Sequence, residues 1–330
     1  MNVLISSAGR RVALVRAFIE SLERLREEGS VIAIDISSTS PALYAAHRGY
    51  IVPRVNDSGF AAALFRIIES EQIGLIVPTI DPELPVYAKL RMEIELSLGA
   101  RVAISPPEAV NTCIDKYRFY QSLSSKKIPT PRTVLGRDAE REELAFPVFV
   151  KPRYGFASVN TFTIEDREEL RFITQKYPDL IVQEHLGGRE FTIDVLSDFK
   201  GRVVSIVPRE RLEVRAGEVT RSRTEKSPVI IEEAMRLAAH LGTTGPATMQ
   251  CLMHEGVPWF FEVNPRVGGG LPASIAAGAD TPGMLIRMAR GEEVVAEIGN
   301  FTPDHYMLRY DDALFMTSLL EGGIESWRKK

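Results

Sequence analysis

Between residues 3 and 104, short runs of aliphatic and β-branched residues alternate with longer stretches whose apolar residues recur every three or four positions. Few architectures satisfy that pattern. Val3-Leu4-Ile5-Ser6-Ser7 predicts a buried strand, Ala8-Gly9-Arg10-Arg11 a turn, and Val12 to Glu27 a helix. Gly29 marks an exit before a second strand, Val31-Ile32-Ala33-Ile34-Asp35. A helix over Phe60 to Glu69 precedes a third clear strand at Gly74-Leu75-Ile76-Val77-Pro78, and a helix from about Pro82 to Leu98 leads to Arg101-Val102-Ala103-Ile104. Strands alternating with helices predict a parallel sheet covered on both faces, a Rossmann-like α/β arrangement.

Asp35 closes the second strand where a dinucleotide fold places its ribose-binding acid. The first turn, however, carries one glycine, Gly9, instead of three, and no P-loop follows it. A nicotinamide or flavin site is therefore not expected. Thr79-Ile80-Asp81-Pro82-Glu83 lies just past a strand end, where α/β crevices form; it lines a cleft, or Asp81 caps the next helix.

The second half carries the chemistry. Asp115-Lys116 opens a helical stretch to Leu123, and alone Lys116 reads as a surface lysine. Lys126-Lys127-Ile128-Pro129-Thr130-Pro131 is an extended linker. Phe146-Pro147-Val148-Phe149-Val150-Lys151-Pro152 is a strand ending in a lysine whose charge needs a partner, and a phosphate would serve. Leu180 to Val195 reads as strand, glycine hinge and strand, with Glu184 and Glu190 flanking Gly187-Gly188 and His185 as a turn residue. Most specific is Phe260-Phe261-Glu262-Val263-Asn264-Pro265-Arg266. Side chains two apart on a strand share a face, so Glu262 and Asn264 form a pair of hard oxygen ligands suited to Mg²⁺ carried by a nucleotide. Pro265 ends the strand, Arg266 suits a bidentate grip on phosphate or carboxylate, and the Gly268-Gly269-Gly270 turn before a helix offers backbone N–H groups to an anion. The bland alternative is a strand end with solvated polar residues.

The order of these motifs resembles the ATP-grasp superfamily, most closely a single synthetase unit of the carbamoyl phosphate synthase large subunit. The resemblance implies a Rossmann-like pre-ATP-grasp domain over residues 1–112, then a two-lobed ATP-grasp α+β fold over 113–330. Its nucleotide cleft would lie between about 113–185 and 186–330. It implies phosphate contacts from Lys116 and Lys151, adenine contacts from Glu184 and the backbone around Leu186, and ribose contacts from Glu190. Gln250, Glu262 and Asn264 would hold two Mg²⁺ or Mn²⁺ ions. Arg266 would face the transferred phosphoryl group and, with Lys151, act catalytically. The expected activity is an ATP-dependent ligase that makes an acyl phosphate from a carboxylate and joins it to an amine or similar nucleophile. The alternatives are bicarbonate phosphorylation with ammonia from a partner, and a nucleotide-binding protein with little catalysis. The last is motivated by a phosphate loop that keeps Gly155 but carries Phe156 and Ala157 where the family is rich in Gly and Ser.

Composition agrees. A formal charge of −4 gives no nucleic-acid footprint, no apolar run reaches the ~20 residues of a membrane span, and two distant cysteines, Cys113 and Cys251, fit a reducing cytoplasm. Expected partners are a small carboxylate and an amine or ammonia. A second copy of the chain and an ammonia-supplying protein are also considered. Arg209, Arg211, Arg215, Arg221 and Arg223 are expected around a loop that closes over the substrates, Pro208 to Arg211 leaving a strand. A closing strand is expected within Asp304 to Phe315, and an amphipathic end with a docked face over Phe315 to Trp327.

Overall fold

The computed structural model describes residues 1–155, 159–215, 217–320 and 326–328. The Phe156-Ala157 substitution in the phosphate loop therefore lies outside the described residues. The chain begins as β1 (Asn2–Ile5), α1 (Val12–Arg24), β2 (Val31–Asp35), α2 (Pro41–Ala45), β3 (Arg48–Ile51), α3 (Phe60–Ser70) and β4 (Ile73–Val77). After a 3-10 turn at Asp81–Glu83 come α4 (Leu84–Glu93), a π turn at Ile94–Leu98 and β5 (Arg101–Val102). β3, β2, β1, β4 and β5 lie side by side and parallel, as the alternation requires. β3 and α2 fall between the second and third strands read from the sequence. The run Arg48-Gly49-Tyr50-Ile51 carries no aliphatic stretch to announce it. Gly49 is there because the backbone of α2 passes so close that a Cβ would sit 2.7 Å from the Leu43 carbonyl oxygen.

α5 (Pro107–Ile114) and α6 (Lys116–Ser125) connect to a small sheet of β6 (Thr133–Leu135), β7 (Val148–Pro152), β8 (Phe162–Ile164) and β9 (Leu180–Glu184), with α7 (Arg167–Lys176) between the last two. A larger antiparallel sheet follows: β10 (Arg189–Ser197), β11 (Val203–Arg215), β12 (Glu218–Thr224), β13 (Gly245–His254) and β14 (Val257–Asn264), with α8 (Pro228–Leu241) inserted. α9 (Leu271–Ala276), α10 (Thr281–Ala289), β15 (Tyr306–Leu308) and β16 (Ser326–Arg328) complete the described elements. β15 joins β12, the closing strand expected there.

The two halves share a core. Leu14, Val15 and Phe18 of α1 bury against Leu271, Met284, Leu285 and Met288 of α9 and α10, and against Leu196 and Val204 of the large sheet. Closing that interface removes the apolar stripe of α1 from water, at roughly 25 cal/mol per Å² of apolar surface.

Two expectations about chain path are corrected. Residues Pro208 to Arg211 do not leave a strand. They sit inside β11, whose side toward β12 is paired only from Arg209 onward. Pro208 is tolerated because its missing N–H falls where β12 ends, while its carbonyl accepts from the Glu225 amide at 3.0 Å. Among the described residues the chain end is docked only in part, Leu320 packing against the first core with its amide donating to the Tyr44 hydroxyl at 3.0 Å. Phe315 is 94% exposed. Ser326–Arg328 instead pairs antiparallel with β3 at the edge of the first sheet, covering backbone groups an edge strand would leave open.

Candidate active site

A cleft of about 1310 Å³ opens between the small sheet and the large one, with loops of the first sheet as a third wall. Lys116, Lys151, Glu184, Leu186, Glu190, Gln250, Glu262, Asn264 and Arg266 all line it. They come from six elements and two connections spread over about 150 residues of sequence, so their convergence is a property of the fold.

Its floor is one face of the large sheet. Thr192 on β10 stands opposite Gln250 on β13 and Arg209 on β11, and Gln250 stands opposite Glu262 on β14. Alternation puts Asn264, Thr248, Asp194, Glu190 and Arg211 on the same face. The floor is thus polarised, with oxygen ligands over β13 and β14 and guanidinium groups over β11. Asn264 Nδ2 donates to Glu262 Oε1 at 3.0 Å, which orients the amide oxygen away from the carboxylate that holds it. Among the described residues no three His, Cys, Asp or Glu side chains cluster as a metal site. The oxygen set here is two amides and one carboxylate.

The roof carries Lys151 at the end of β7. Its ammonium is nearly buried and makes no ion pair within 4 Å among the described residues, with the Phe261 ring centroid 5.2 Å away and that of Phe149 5.7 Å away. Burial pushes it down to about 8, while the carboxylates of Glu262 and Glu190 pull upward and Lys116 pushes lower. Lys116 itself donates to the Gly155 carbonyl at 2.7 Å, at the start of the phosphate loop. Its neighbour Asp115 caps α6 by accepting from the Tyr117 and Arg118 amides at 3.1 Å, and also takes the Arg153 guanidinium. Burial works against its charge, but Arg153, the Arg118 amide and the Tyr154 hydroxyl outweigh it and hold the carboxyl at about 2. A depressed carboxyl stabilises the fold fully above its unfolded value near 4 and loses that contribution as pH falls through about 2. Asp115→Asn is therefore expected to cost about 1–3 kcal/mol at pH 7. The difference from wild type should shrink in urea melts below pH 4; a difference constant down to pH 2.5 would count against the assignment.

Glu184 is exposed, its amide donating to the Arg132 carbonyl at 2.8 Å, and His185 beside it is an exposed turn residue as expected. The hinge is specific: Gly188 has φ +143°, and a Cβ there would meet the Met253 carbonyl oxygen at 2.3 Å. Glu190 pairs with Arg211 at 3.1 Å; burial raises its carboxyl and Arg211 opposes the rise.

Arg266 departs from expectation. Its guanidinium already grips Asp81 in bidentate fashion, Nε to Oδ1 at 2.9 Å and Nη2 to Oδ2 at 2.8 Å, and Nη1 donates to the Val267 carbonyl. Asp81 is not the helix cap. Glu83 takes the Thr79 and Ile80 amides, leaving Asp81 free to cross to Arg266, 185 positions away. Arg11, whose charge is disfavoured by burial first and by the nearby Arg266 second, also lines the cleft. Removing Asp81 leaves two adjacent guanidinium groups. Asp81→Ala should lower Tm in low-salt buffer and recover it with added sulfate; a sulfate-insensitive Tm would exclude that balance of charge.

In the turn after Arg266, Gly268, Gly269 and Gly270 all line the cleft. α9 has six residues; the Leu271 and Ala273 amides donate to the Gly268 and Gly270 carbonyls, and Pro272 has none. Sequence reasoning missed one further contributor: Arg309, Tyr310 and Asp311 follow β15 into the cleft wall, Arg309 donating to the Gly269 carbonyl at 2.7 Å. No motif marks them.

Comparison with known proteins agrees with this architecture. Residues 3–102 match the family described as PylC-like, N-terminal domain, and residues 176–310 the family described as ATP-grasp in the biosynthetic pathway with Ter operon. Residues 176–310 thus match an ATP-grasp family, and the chain as a whole resembles that superfamily. Within it, the chain resembles a single synthetase unit of carbamoyl phosphate synthase large chains. That of Thermoplasma acidophilum is 27% identical over an alignment of 293 residues that covers 81% of this chain and 28% of that one. The chain thus spans under a third of that relative's length. Among solved structures, the L-amino acid ligase of Bacillus licheniformis superposes with a TM-score of 0.69 at 21% identity, covering 92% of this chain and 77% of that one. The biotin carboxylase domain of the Hydrogenobacter thermophilus 2-oxoglutarate carboxylase, solved with MgADP and bicarbonate, gives 0.71 at 17%, covering 92% and 73%. Among the described residues no helix is long and apolar enough to cross a membrane.

Proposed function

We propose that this chain is an ATP-dependent carboxylate–amine ligase. The observation that carries the reading is the facing of Lys151 on the roof with Gln250, Glu262 and Asn264 on the floor of one cleft. We further propose the domain division at 112/113, with β16 returning to the first sheet, and the nucleotide between 113–185 and 186–330. Lys116 and Lys151 hold the phosphates, Glu184 and the backbone at Leu186 the adenine, and Glu190 the ribose. Glu190 does so from its pair with Arg211.

The oxygen set fits a divalent cation of the Mg²⁺ or Mn²⁺ type. Three hard oxygens share one face, Asn264 is pre-oriented by Glu262, and the single formal charge leaves room for phosphate oxygens as further ligands. When bound, one or two such ions supply charge neutralisation at the β- and γ-phosphates. The chain's own residues position the reactants. A carboxylate oxygen of the acid attacks the γ-phosphorus, the β–γ bridging bond breaks and ADP leaves. The amine then attacks the acyl carbon and phosphate departs, the amine giving up a proton. Lys151, desolvated and without an ion pair among the described residues, is set to place its charge against the transferring group. Arg266 joins only by releasing Asp81. Partners are then a small carboxylate and an amine or ammonia.

A second reading, bicarbonate phosphorylation, is favoured by the relation to carbamoyl phosphate synthase. The experiment that tests ligation against mere binding is calorimetry with MgATP beside an ADP-release assay over organic acids and amines. Release stimulated by one acid supports the proposal. Tight binding without release across the panel overturns it in favour of a nucleotide-binding protein.

A further inference from the structure

The largest fully buried side chain is not apolar. Arg209, near the middle of β11, is 0% exposed and lies at the guanidinium end of the cleft floor. Its Nε donates to Asp194 Oδ2 at 2.8 Å, and Ser274 Oγ donates to the same oxygen at 2.6 Å. Its two terminal nitrogens, Nη1 and Nη2, have no hydrogen-bond partner among the described residues. A buried N–H without an acceptor costs about 1–3 kcal/mol, more on a charged group, so two on one guanidinium call for an explanation. Asp194 holds the fork in place without satisfying it.

What lies over those nitrogens is also unusual. Gly270 packs against them so closely that a Cβ would stand 2.5 Å from Nη1 and 2.7 Å from Nη2. Its own backbone, φ −91° and ψ 0°, is open to any residue, so glycine is not required there by conformation. What glycine provides is the close approach of its backbone to the guanidinium, which any Cβ would prevent. Next along the strand, Arg211 is by contrast already engaged, its Nε 3.1 Å from Glu190 Oε1 and its Nη1 donating to Thr192 Oγ1 at 3.2 Å. Two parallel N–H groups on a rigid fork are the geometry that takes a carboxylate in bidentate fashion.

We infer that Arg209, roofed by Gly270, is the docking point for a carboxylate that is not phosphorylated. This rests on the ligase reading of the cleft. The phosphoryl acceptor must come within about 3–3.5 Å of the transferred phosphorus, beside Gln250, Glu262 and Asn264. Gln250 and Arg209 occupy one register row with β10 between them, so their backbones stand two strand spacings, roughly 10 Å, apart. A carboxylate seated on Arg209 is therefore a second anionic group, some bonds away from the reacting one. It belongs either to a dicarboxylic acid substrate or to an amino acid serving as nucleophile. The chemistry read by the site is the same, and the experiment separates the two sources.

The test uses the full chain loaded with MgADP, titrated calorimetrically with succinate, glutarate and L-glutamate, each beside its monoamide. Wild type is expected to bind at least one free carboxylate about tenfold more tightly than the amide, since a site that satisfies buried donors rejects the analogue that cannot. Gly270→Ala sets a Cβ against the fork nitrogens, so that Arg209 or the turn must shift, and should abolish that discrimination with MgADP affinity unchanged within twofold. Arg209→Lys, which keeps the charge and loses the fork, should do the same if it folds. No preference for any free carboxylate in wild type, or a tenfold preference retained in Gly270→Ala, would overturn the inference; water would then be the partner of those nitrogens. Hydroxylamine trapping assigns the source. A raised KM for the acid in the half-reaction of Gly270→Ala places the carboxylate on the acid, and a raised KM only in full ligation places it on the nucleophile. Carboxylate binding without ADP release from any acid would support the site while removing the ligase reading.

Discussion

Glu262→Gln is expected to abolish divalent-dependent turnover, by on the order of 10²–10³-fold, while leaving the fold intact. Of the three oxygen side chains on that end of the floor, Glu262 alone carries a formal charge, so the substitution converts a site of one carboxylate and two amides into three amides. The cost to folding should be within about 0.5 kcal/mol, because the new amide oxygen still accepts from Asn264 Nδ2. A second effect follows at Lys151, whose ammonium the Glu262 carboxylate helps to keep charged. The variant should therefore hold less charge on Lys151 at pH 8. ADP release measured against Mg²⁺ concentration decides the matter: turnover with an unchanged metal dependence would remove Glu262 from its assigned role.

Lys151→Met should weaken ATP binding by about tenfold to a hundredfold, the value of charge-assisted hydrogen bonds of about 1.5–3 kcal/mol. Its signature is in pH. In the free protein burial lowers the ammonium to about 8, so above that pH the side chain is mostly neutral. Polyphosphate favours the charged form and raises the value in the complex, so binding takes up a proton. The wild-type Kd should stay level below pH 8 and rise about tenfold per unit from pH 8 toward the value in the complex. Calorimetry in buffers of different ionisation enthalpy should show net proton uptake at pH 8 for wild type and none for Lys151→Met. Proton uptake that survives in the variant would place the titrating group elsewhere.

How much of this was legible in the sequence differs residue by residue. β1, β2 and β4 were, because each is a continuous aliphatic run in a doubly covered sheet. β3 was not, since Arg48-Gly49-Tyr50-Ile51 owes its position to a close approach by α2. Glu262 and Asn264 could be placed on one face from strand alternation alone, and Lys151 could be singled out as a charge at a strand end. The bidentate pair of Arg266 with Asp81 could not be read, because nothing local links positions so far apart. The same holds for Arg209. Its neighbours Glu210 and Arg211 make the segment look solvated, and only the register of β11 between β10 and β12 turns alternate side chains inward. The return of Ser326–Arg328 to the first sheet is likewise a long-range pairing without a local signal.

The central claim is that a carboxylate is activated by phosphorylation in this cleft. ADP release with hydroxylamine as trap, run across amino acids, dicarboxylates and bicarbonate, tests it most directly. The expected result is a stable hydroxamate from one organic acid, formed in step with ADP and lost in Glu262→Gln. ADP release that requires bicarbonate and ammonia, with no hydroxamate from any acid, would contradict the claim and assign the cleft to carbamoyl phosphate chemistry.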